Sequence, residues 1–224
     1  MRLLFIGDVH LDSRTPSSRK DDYSKTILNK VRSLNDIAIN HHVDAIIYLG
    51  DVFNKTNVYL PFFTECLKAF KSITVPQYSI VGNHDISYER AEEFYKSPLY
   101  LLFQTGVVKH LSKEQFDDVM VYGFDYIQEV TPNPTPNQYS ICVAHCFFNN
   151  KFYKDTKNID MVDAIDLHYN AFVLGHDHMP YEPVVNQAYT VIREGSLSRG
   201  TSHTCNLKRK INVSLFDTQT KQFQ

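Results

Sequence analysis

The sequence predicts an α/β fold organised around a parallel sheet, and three observations carry that reading. Residues 2–82 alternate short apolar runs with stretches of helical periodicity, in the order strand, helix, strand, helix, strand. That order is the mark of parallel strands joined by crossover helices. Each of the three apolar runs closes on a glycine followed at once by polar residues. The second half of the chain instead strings short apolar runs together with brief connections.

The elements follow in order. Residues 2–7 (RLLFIG) are a buried strand. Asp21 and Asp22 precede a helix whose apolar face holds Ile27, Val31, Leu34 and Ala38, at spacings of four, three and four. His41 and His42 close it, where positive charge suits the helix dipole. Residues 44–50 (DAIIYLG) form the second strand, and a second helix places Phe63, Leu67, Phe70 and Ile73 on one face. Residues 77–82 (QYSIVG) form the third strand. Downstream, residues 119–124 (VMVYGF) and 139–145 (YSICVAH) are strands separated by a loop with Pro132, Pro134 and Pro136, expected as a surface excursion. Residues 171–175 (AFVLG) are another strand, and EPVV, AYTVI and INVSLF are expected to follow as an antiparallel meander.

The length of 224 residues suits a single domain with a sizeable core. A net charge of −2 argues against a strongly basic nucleic-acid module, though not against a local basic groove. The four cysteines, Cys66, Cys142, Cys146 and Cys205, contain no CxxC pair. They imply a reducing, cytoplasmic setting without a disulfide framework. The opening MRLLFIGDVH has too short an apolar run for a signal peptide, and no stretch is long enough to span a membrane, so no membrane association is expected.

The chemistry lies at the strand ends. GDVH supplies Asp8 and His10, GDVF supplies Asp51, and GNHD supplies Asn83, His84 and Asp85. Later, VAHC supplies His145 and GHDH supplies His176 and His178. In open α/β sheets the carboxyl edge of the strands is where ligands bind. A polar strand end can carry a histidine for no reason beyond solubility, but five strand ends finishing in Asp, Asn or His are poorly explained that way. Carboxylate, amide and imidazole donors without thiolate suit manganese, iron or zinc. Two such ions held ~3.5–4 Å apart can clamp a phosphoryl group and activate water.

The order DxH, GDxx, GNH[D/E], a later H and GHxH resembles the calcineurin-like metallophosphoesterase superfamily, and it spans Asp8 to His178. The resemblance implies a four-layer α/β/β/α sandwich of two mixed sheets flanked by helices, with residues 1–224 as one phosphoesterase domain and no separate capping domain. It implies Asp8, His10 and His178 at a first metal, Asn83, His145 and His176 at a second, and Asp51 bridging both. It implies His84 as the acid that protonates the leaving oxygen, with Asp85 orienting it by a hydrogen bond. The two divalent ions are expected to be manganese, with iron, zinc and magnesium as alternatives. Asp177 is assigned no role.

The stretch GDVFNKTNVYLPFFTECLKAF and the tail REGSLSRGTSHTCNLKRKINVSLFD resemble SbcD-type DNA repair nucleases. That resemblance implies a metal-dependent exo- or endonuclease of recombination or repair, and because duplex DNA is stiff and no capping domain is read in the chain, single-stranded DNA or frayed ends are the expected substrates. It implies an SMC-like ATPase partner of SbcC type and allows a homodimer. Where several such nucleases carry a histidine after GDxF, this chain has Asn54. Lys208, Arg209 and Lys210, with Arg199 upstream, read either as a solvated turn or as a phosphate contact. Arg14 reads as an ordinary surface arginine. His41, His42, His110, His168 and His203 match no motif and are assigned to the surface or to helix ends. The competing readings are a phosphoesterase for cyclic nucleotides, small phosphodiesters or terminal phosphates, and a non-catalytic scaffold. The scaffold is disfavoured because no candidate ligand or acid is missing.

Overall fold

The computed structural model describes residues 1–86, 90–149, 157–200 and 208–224. Strand β1 (Arg2–Ile6), helix α1 (Tyr23–Asn40), strand β2 (Ala45–Tyr48), helix α2 (Leu60–Lys71) and strand β3 (Gln77–Ser79) alternate as the sequence predicts. A 3-10 helix (Ala91–Lys96) and helix α3 (Pro98–Gln104) lead into β4 (Lys109–His110). Then come β5 (Lys113–Phe116), β6 (Val119–Phe124), β7 (Ser140–His145), β8 (Phe147–Phe148), β9 (Asn158–Ile159), helix α4 (Met161–Asp166) and β10 (Ala171–Gly175). The chain closes with β11 (Tyr181–Val185), β12 (Thr190–Arg193), β13 (Ser214–Asp217) and β14 (Gln222–Phe223).

Helix α1 starts where the Asp22 carboxylate accepts the Lys25 N–H, the usual way an Asx side chain satisfies an orphan donor. Its buried stripe, Ile27, Leu28, Val31, Leu34 and Ala38, is the face read from the sequence. In α2 the buried stripe runs through Phe63, Cys66, Ala69 and Phe70, while Leu67 is only partly covered.

Two six-stranded sheets result, ordered β14-β13-β1-β2-β3-β4 and β11-β12-β10-β7-β6-β5. Strand alternation sends neighbouring side chains to opposite faces. Leu3, Phe5, Ile47 and Leu49 therefore point between the sheets with Val143, Val173 and Phe216. Leu4, Ile6, Ile46 and Tyr48 face outward under α1 and α2. Cys142, Ala144, Phe172 and Leu174 face outward from the second sheet toward α4. Apolar packing on both faces of both sheets makes the four-layer α/β/β/α sandwich.

The meander expected near the C-terminus does not form. β11 and β12 are an antiparallel hairpin, but β12 pairs parallel with β10, and β13 crosses to the other sheet to pair antiparallel with β1. The alternating burial of β13 explains the crossing: Phe216 belongs to the core between the sheets. The proline loop is also better anchored than a surface excursion. Asn133 within it is buried and donates to Ser140 Oγ at 2.7 Å and to the His168 carbonyl at 3.1 Å. Cys66, Cys142 and Cys146 are buried free thiols, and Cys205 and His203 lie outside the described residues. Among the described residues, no helix is long and apolar enough to cross a membrane.

Candidate metal centre

The parallel pairing of β1 with β2 and β2 with β3, and of β7 with β10, sends the loops after these strands to one edge. The Val9 and His10 N–H groups both donate to the Asp51 carbonyl, at 3.0 and 2.9 Å, which ties the first loop to the second. Glycine permits the crowding. A Cβ on Gly82 would collide with the Asp51 carboxylate, and one on Gly175 with the Leu49 carbonyl. His10, Asp51 and His176 hold φ of 52°, 47° and 82°. Non-glycine residues in this left-handed region cost ~1–3 kcal/mol each and persist where the surroundings enforce them.

The side chains meet as two groups. Donor atoms of Asp8, His10, Asp51 and His178 lie within 4.8 Å of one another, and so do those of Asp51, His145 and His176. Asp51 belongs to both. In the first group, His178 Nε2 is 3.5 Å from Asp8 Oδ2, and His10 Nε2 is 3.8 Å from Asp51 Oδ2. In the second, His145 Nε2 is 3.4 Å from Asp51 Oδ2. The Asn83 Oδ1 atom joins the second group, 3.0 Å from His145 Nε2 and 2.9 Å from His176 Nδ1.

These donors fit cations. Asp8 Oδ2 is buried without a hydrogen-bond partner, an arrangement that is costly for a carboxylate left alone. The Nε2 atoms of His10 and His178 face each other at 2.8 Å, so in their Nδ1–H tautomers both rings turn a donor lone pair toward a shared cation. Burial lowers the His10 imidazole to about 3 and the His176 imidazole to about 4, keeping both neutral and able to donate to a metal. Burial raises the Asp8 carboxyl, and the Asp51 charge adds to that. The His145–Asp51 pair behaves differently. Burial opposes charge on both, but their mutual attraction wins, so His145 is raised and Asp51 falls below the usual carboxylate range. His145 Nδ1 is fixed on the Leu49 carbonyl at 2.7 Å, which directs Nε2 into the cluster.

His84 sits beside the first group, its ring 4.8 Å from that of His10. The His84 backbone N–H donates to Asp51 Oδ1 at 2.8 Å. The expected orienting bond from Asp85 is not there. His84 Nδ1 meets the Asn54 carbonyl at 3.0 Å, while the Asp85 carboxylate accepts the Val52, Phe53 and Gly82 N–H groups at 3.3, 3.1 and 3.0 Å. Asp85 is fully buried and staples the Asp51 loop to the Gly82 loop. Three N–H donors occupy its oxygens, so it has no reason to turn to the imidazole. Burial, with Asp51 nearby, raises its carboxyl to about 8.

A model of the calcineurin-like phosphoesterase family matches residues 1–180. The chain belongs to the calcineurin-like phosphoesterase family. It is 35% identical over 148 residues to the DNA double-strand break repair protein Mre11 of Sulfolobus acidocaldarius, covering 62% of this chain and 37% of that protein. It is 25% identical over 221 residues to the protein of the same name from Methanosarcina mazei, covering 90% of this chain and 34% of that one. The chain thus spans about a third of the length of these curated relatives. Among solved structures, a novel archaeal phosphodiesterase aligns with TM-score 0.56 at 14% identity, over 100% of this chain and 98% of that one. TT1561 of Thermus thermophilus aligns with TM-score 0.58 at 14% identity, over 100% of this chain and 96% of that one. At that identity the likeness is one of fold.

Several residues of this phosphoesterase site carry no motif signal. Asn54 supplies the carbonyl that holds His84, and its amide donates to Asp12 at 2.7 Å. The Tyr23 hydroxyl donates to the His10 carbonyl at 2.8 Å. Phe147 packs on His176 with ring centroids 4.4 Å apart, and Tyr126 lies against both His145 and His176. Asn54 and Phe147 lie beside motif residues in sequence, whereas Tyr23 and Tyr126 are far from every motif and reach the site only through the fold. His110 is exposed, as the sequence reading has it, but it is not without a partner. It lies in β4, and its Nε2 is 3.0 Å from the Asp125 carboxylate, which also accepts the Val81 N–H. Arg209 is buried, with its guanidinium donating to Ser196 and Ser198, so it is neither a solvated turn nor exposed to a substrate phosphate. Arg14 is exposed.

Proposed function

We propose that this chain is a two-metal phosphodiesterase that cleaves DNA. The observation that carries the proposal is the sharing of Asp51 between two donor groups. Asp8, His10 and His178 would hold a first ion, Asn83, His145 and His176 a second, and Asp51 both. The mixed oxygen and nitrogen donors suit manganese, then iron, zinc or magnesium. Bound there, such ions supply Lewis-acid polarisation of a phosphoryl oxygen and a water made acidic enough to attack at neutral pH.

The protein's own part is positioning and proton delivery. His84 Nδ1 keeps its proton toward the Asn54 carbonyl, which can only accept. Nε2 is then the nitrogen that carries a second proton and gives it to the leaving oxygen. The relatives named as DNA double-strand break repair proteins support DNA as substrate. Duplex DNA is stiff, with a persistence length near ~50 nm, so bringing an internal bond to a site at a sheet edge requires bending or unwinding. Single strands and frayed ends are therefore the preferred substrates of this domain, with an SMC-like ATPase as the partner for duplex ends. A phosphoesterase for cyclic nucleotides or small diesters is the second reading, supported by a phosphodiesterase whose fold matches over nearly its full length.

The test is a manganese-dependent assay of purified protein on matched single-stranded and blunt duplex DNA, cyclic mononucleotides and bis-p-nitrophenyl phosphate. Chelator-sensitive cleavage of single strands is expected. Fast turnover of cyclic mononucleotides without DNA cleavage would replace the first reading by the second.

A further inference from the structure

Beside the first metal group lies a cleft of about 190 Å³. His10, His84 and His178 form one wall, and Ser196, Ser198 and Gly200 another. The serine wall is held from behind by cations. Lys30 Nζ donates to the Leu197 carbonyl at 2.8 Å, and Arg19 Nη1 to the Arg199 carbonyl at 3.0 Å. Arg209 grips Ser196 and Ser198, and Arg199 Nη2 donates to the Arg209 carbonyl at 2.6 Å.

Most of these bonds end on carbonyls, which satisfy hydrogens but do not cancel charge. Arg19 is neutralised at close range by Asp21, at 2.8 and 2.6 Å. Lys30 and Arg199, by contrast, make no ion pair among the described residues, and Arg199 Nε is buried without an acceptor there. Asp12 also lines the cleft and accepts from the Asn54 amide and the Arg14 backbone N–H, so its single negative charge is set against the four cations behind the serine wall. Burial lowers the Lys30 ammonium to about 8, and the charges of Arg19, Arg199 and Arg209 push the same way. Like charges gathered at a polar cleft focus a positive potential that an anion relieves.

We propose that residues 196–200, backed by Arg19, Lys30, Arg199 and Arg209, form a phosphate subsite that receives the phosphodiester next to the one being cleaved. The inference rests on the nucleic-acid reading of the metal centre and adds to it a requirement for at least two linked phosphates. It also explains how a chain of net charge −2 can attract a polyanion: the positive field is confined to one flank of the site.

The test uses the manganese-loaded chain of residues 1–224 with Lys30→Gln and Arg199→Gln. Glutamine keeps an amide donor for the carbonyl but removes the charge, so the loop should hold, as an unchanged Tm would verify. For a single-stranded oligonucleotide, KM should rise about tenfold relative to KM for bis-p-nitrophenyl phosphate, the loss expected when a nearby positive charge no longer contributes to the field at the cleft. The slope of log affinity against log salt should flatten by about 0.7 for each phosphate the variant no longer neutralises. Arg199→Lys should recover part of both. Equal losses on the two substrates, or an oligonucleotide KM and salt slope like those of the parent, would overturn the subsite alone. A parent protein that hydrolyses the nitrophenyl diester yet binds no oligonucleotide would overturn the subsite together with the nucleic-acid reading.

Discussion

The two halves of the candidate metal centre each set two imidazoles beside one further oxygen donor, Asp8 or Asn83, and are finished differently. On the His145 and His176 side the imidazoles are packed in. His145 has a side chain 0% exposed, its Nδ1 is tied to a carbonyl, and Phe147 and Tyr126 lie against the rings. On the His10 and His178 side the His178 side chain is 40% exposed and looks onto the cleft that also holds His84. Aromatic walls fix a ligand and exclude water, whereas a polar cleft with a proton donor on its rim admits substrate. Similar donor sets thus differ in access, one half walled by aromatic rings and the other open to the cleft, and under the proposed function the open half is where the scissile group would arrive.

The largest expected effect falls on the accessible half. His84→Ala should slow DNA cleavage by ~10²–10⁴, the usual contribution of a positioned acid, while both metals stay bound. The loss should be smaller with a nitrophenolate leaving group, which needs little protonation. Equal losses on the two substrates would remove His84 from that role, and a lost metal would make it a ligand. His84 then differs from Asp85, which only staples backbone and whose replacement should lower Tm before it alters the chemistry.

The smallest effect falls on the anchored half. Asp125 borders the larger cavity of about 460 Å³ that shares His145 with the metal centre, and it pairs with His110. The Asp125 hydrogen bond raises the His110 imidazole above its ordinary value of 6.5, against the pull of burial. A raised folded-state value means the stabilisation is complete below 6.5 and disappears as pH climbs through the raised value. His110 is partly exposed, so solvent screening limits the pair to about 0.5 kcal/mol. His110→Ala should therefore lower Tm more at about pH 5.5 than at about pH 8.5, with metal affinity unchanged. A Tm difference that does not vary with pH would dissolve the ion pair.

The same contrast sorts what can be read from the chain alone. The β-α-β-α-β order and the polar strand ends are legible, because apolar periodicity is local and a parallel sheet sends those ends to one edge. The partner of His84 is not legible. The adjacent Asp85 is the nearer residue in sequence, but the turn after Gly82 aims its carboxylate into backbone N–H groups, and the Asn54 carbonyl arrives from another loop. The place of strand β13 is hidden for a related reason. Its pattern fits any buried sheet face, and only the shape of the core between the sheets puts Phe216 beside β1. Lys30 and Arg19 look like ordinary charges on and before a helix, and only the folding of the 196–200 loop back onto them places them behind the wall of the cleft.

The central claim is that one carboxylate joins two metal sites of unequal openness, and direct manganese titration with metal analysis tests it without relying on activity. The parent chain should bind two ions. His178→Ala should keep the ion at the anchored half, His176→Ala the ion at the accessible half, and Asp51→Asn should weaken both. That last loss should exceed the ~10–100-fold that follows removal of a partner outside the coordinating set. One ion in the saturated parent, or an Asp51→Asn protein that still binds two ions as tightly, would contradict the account.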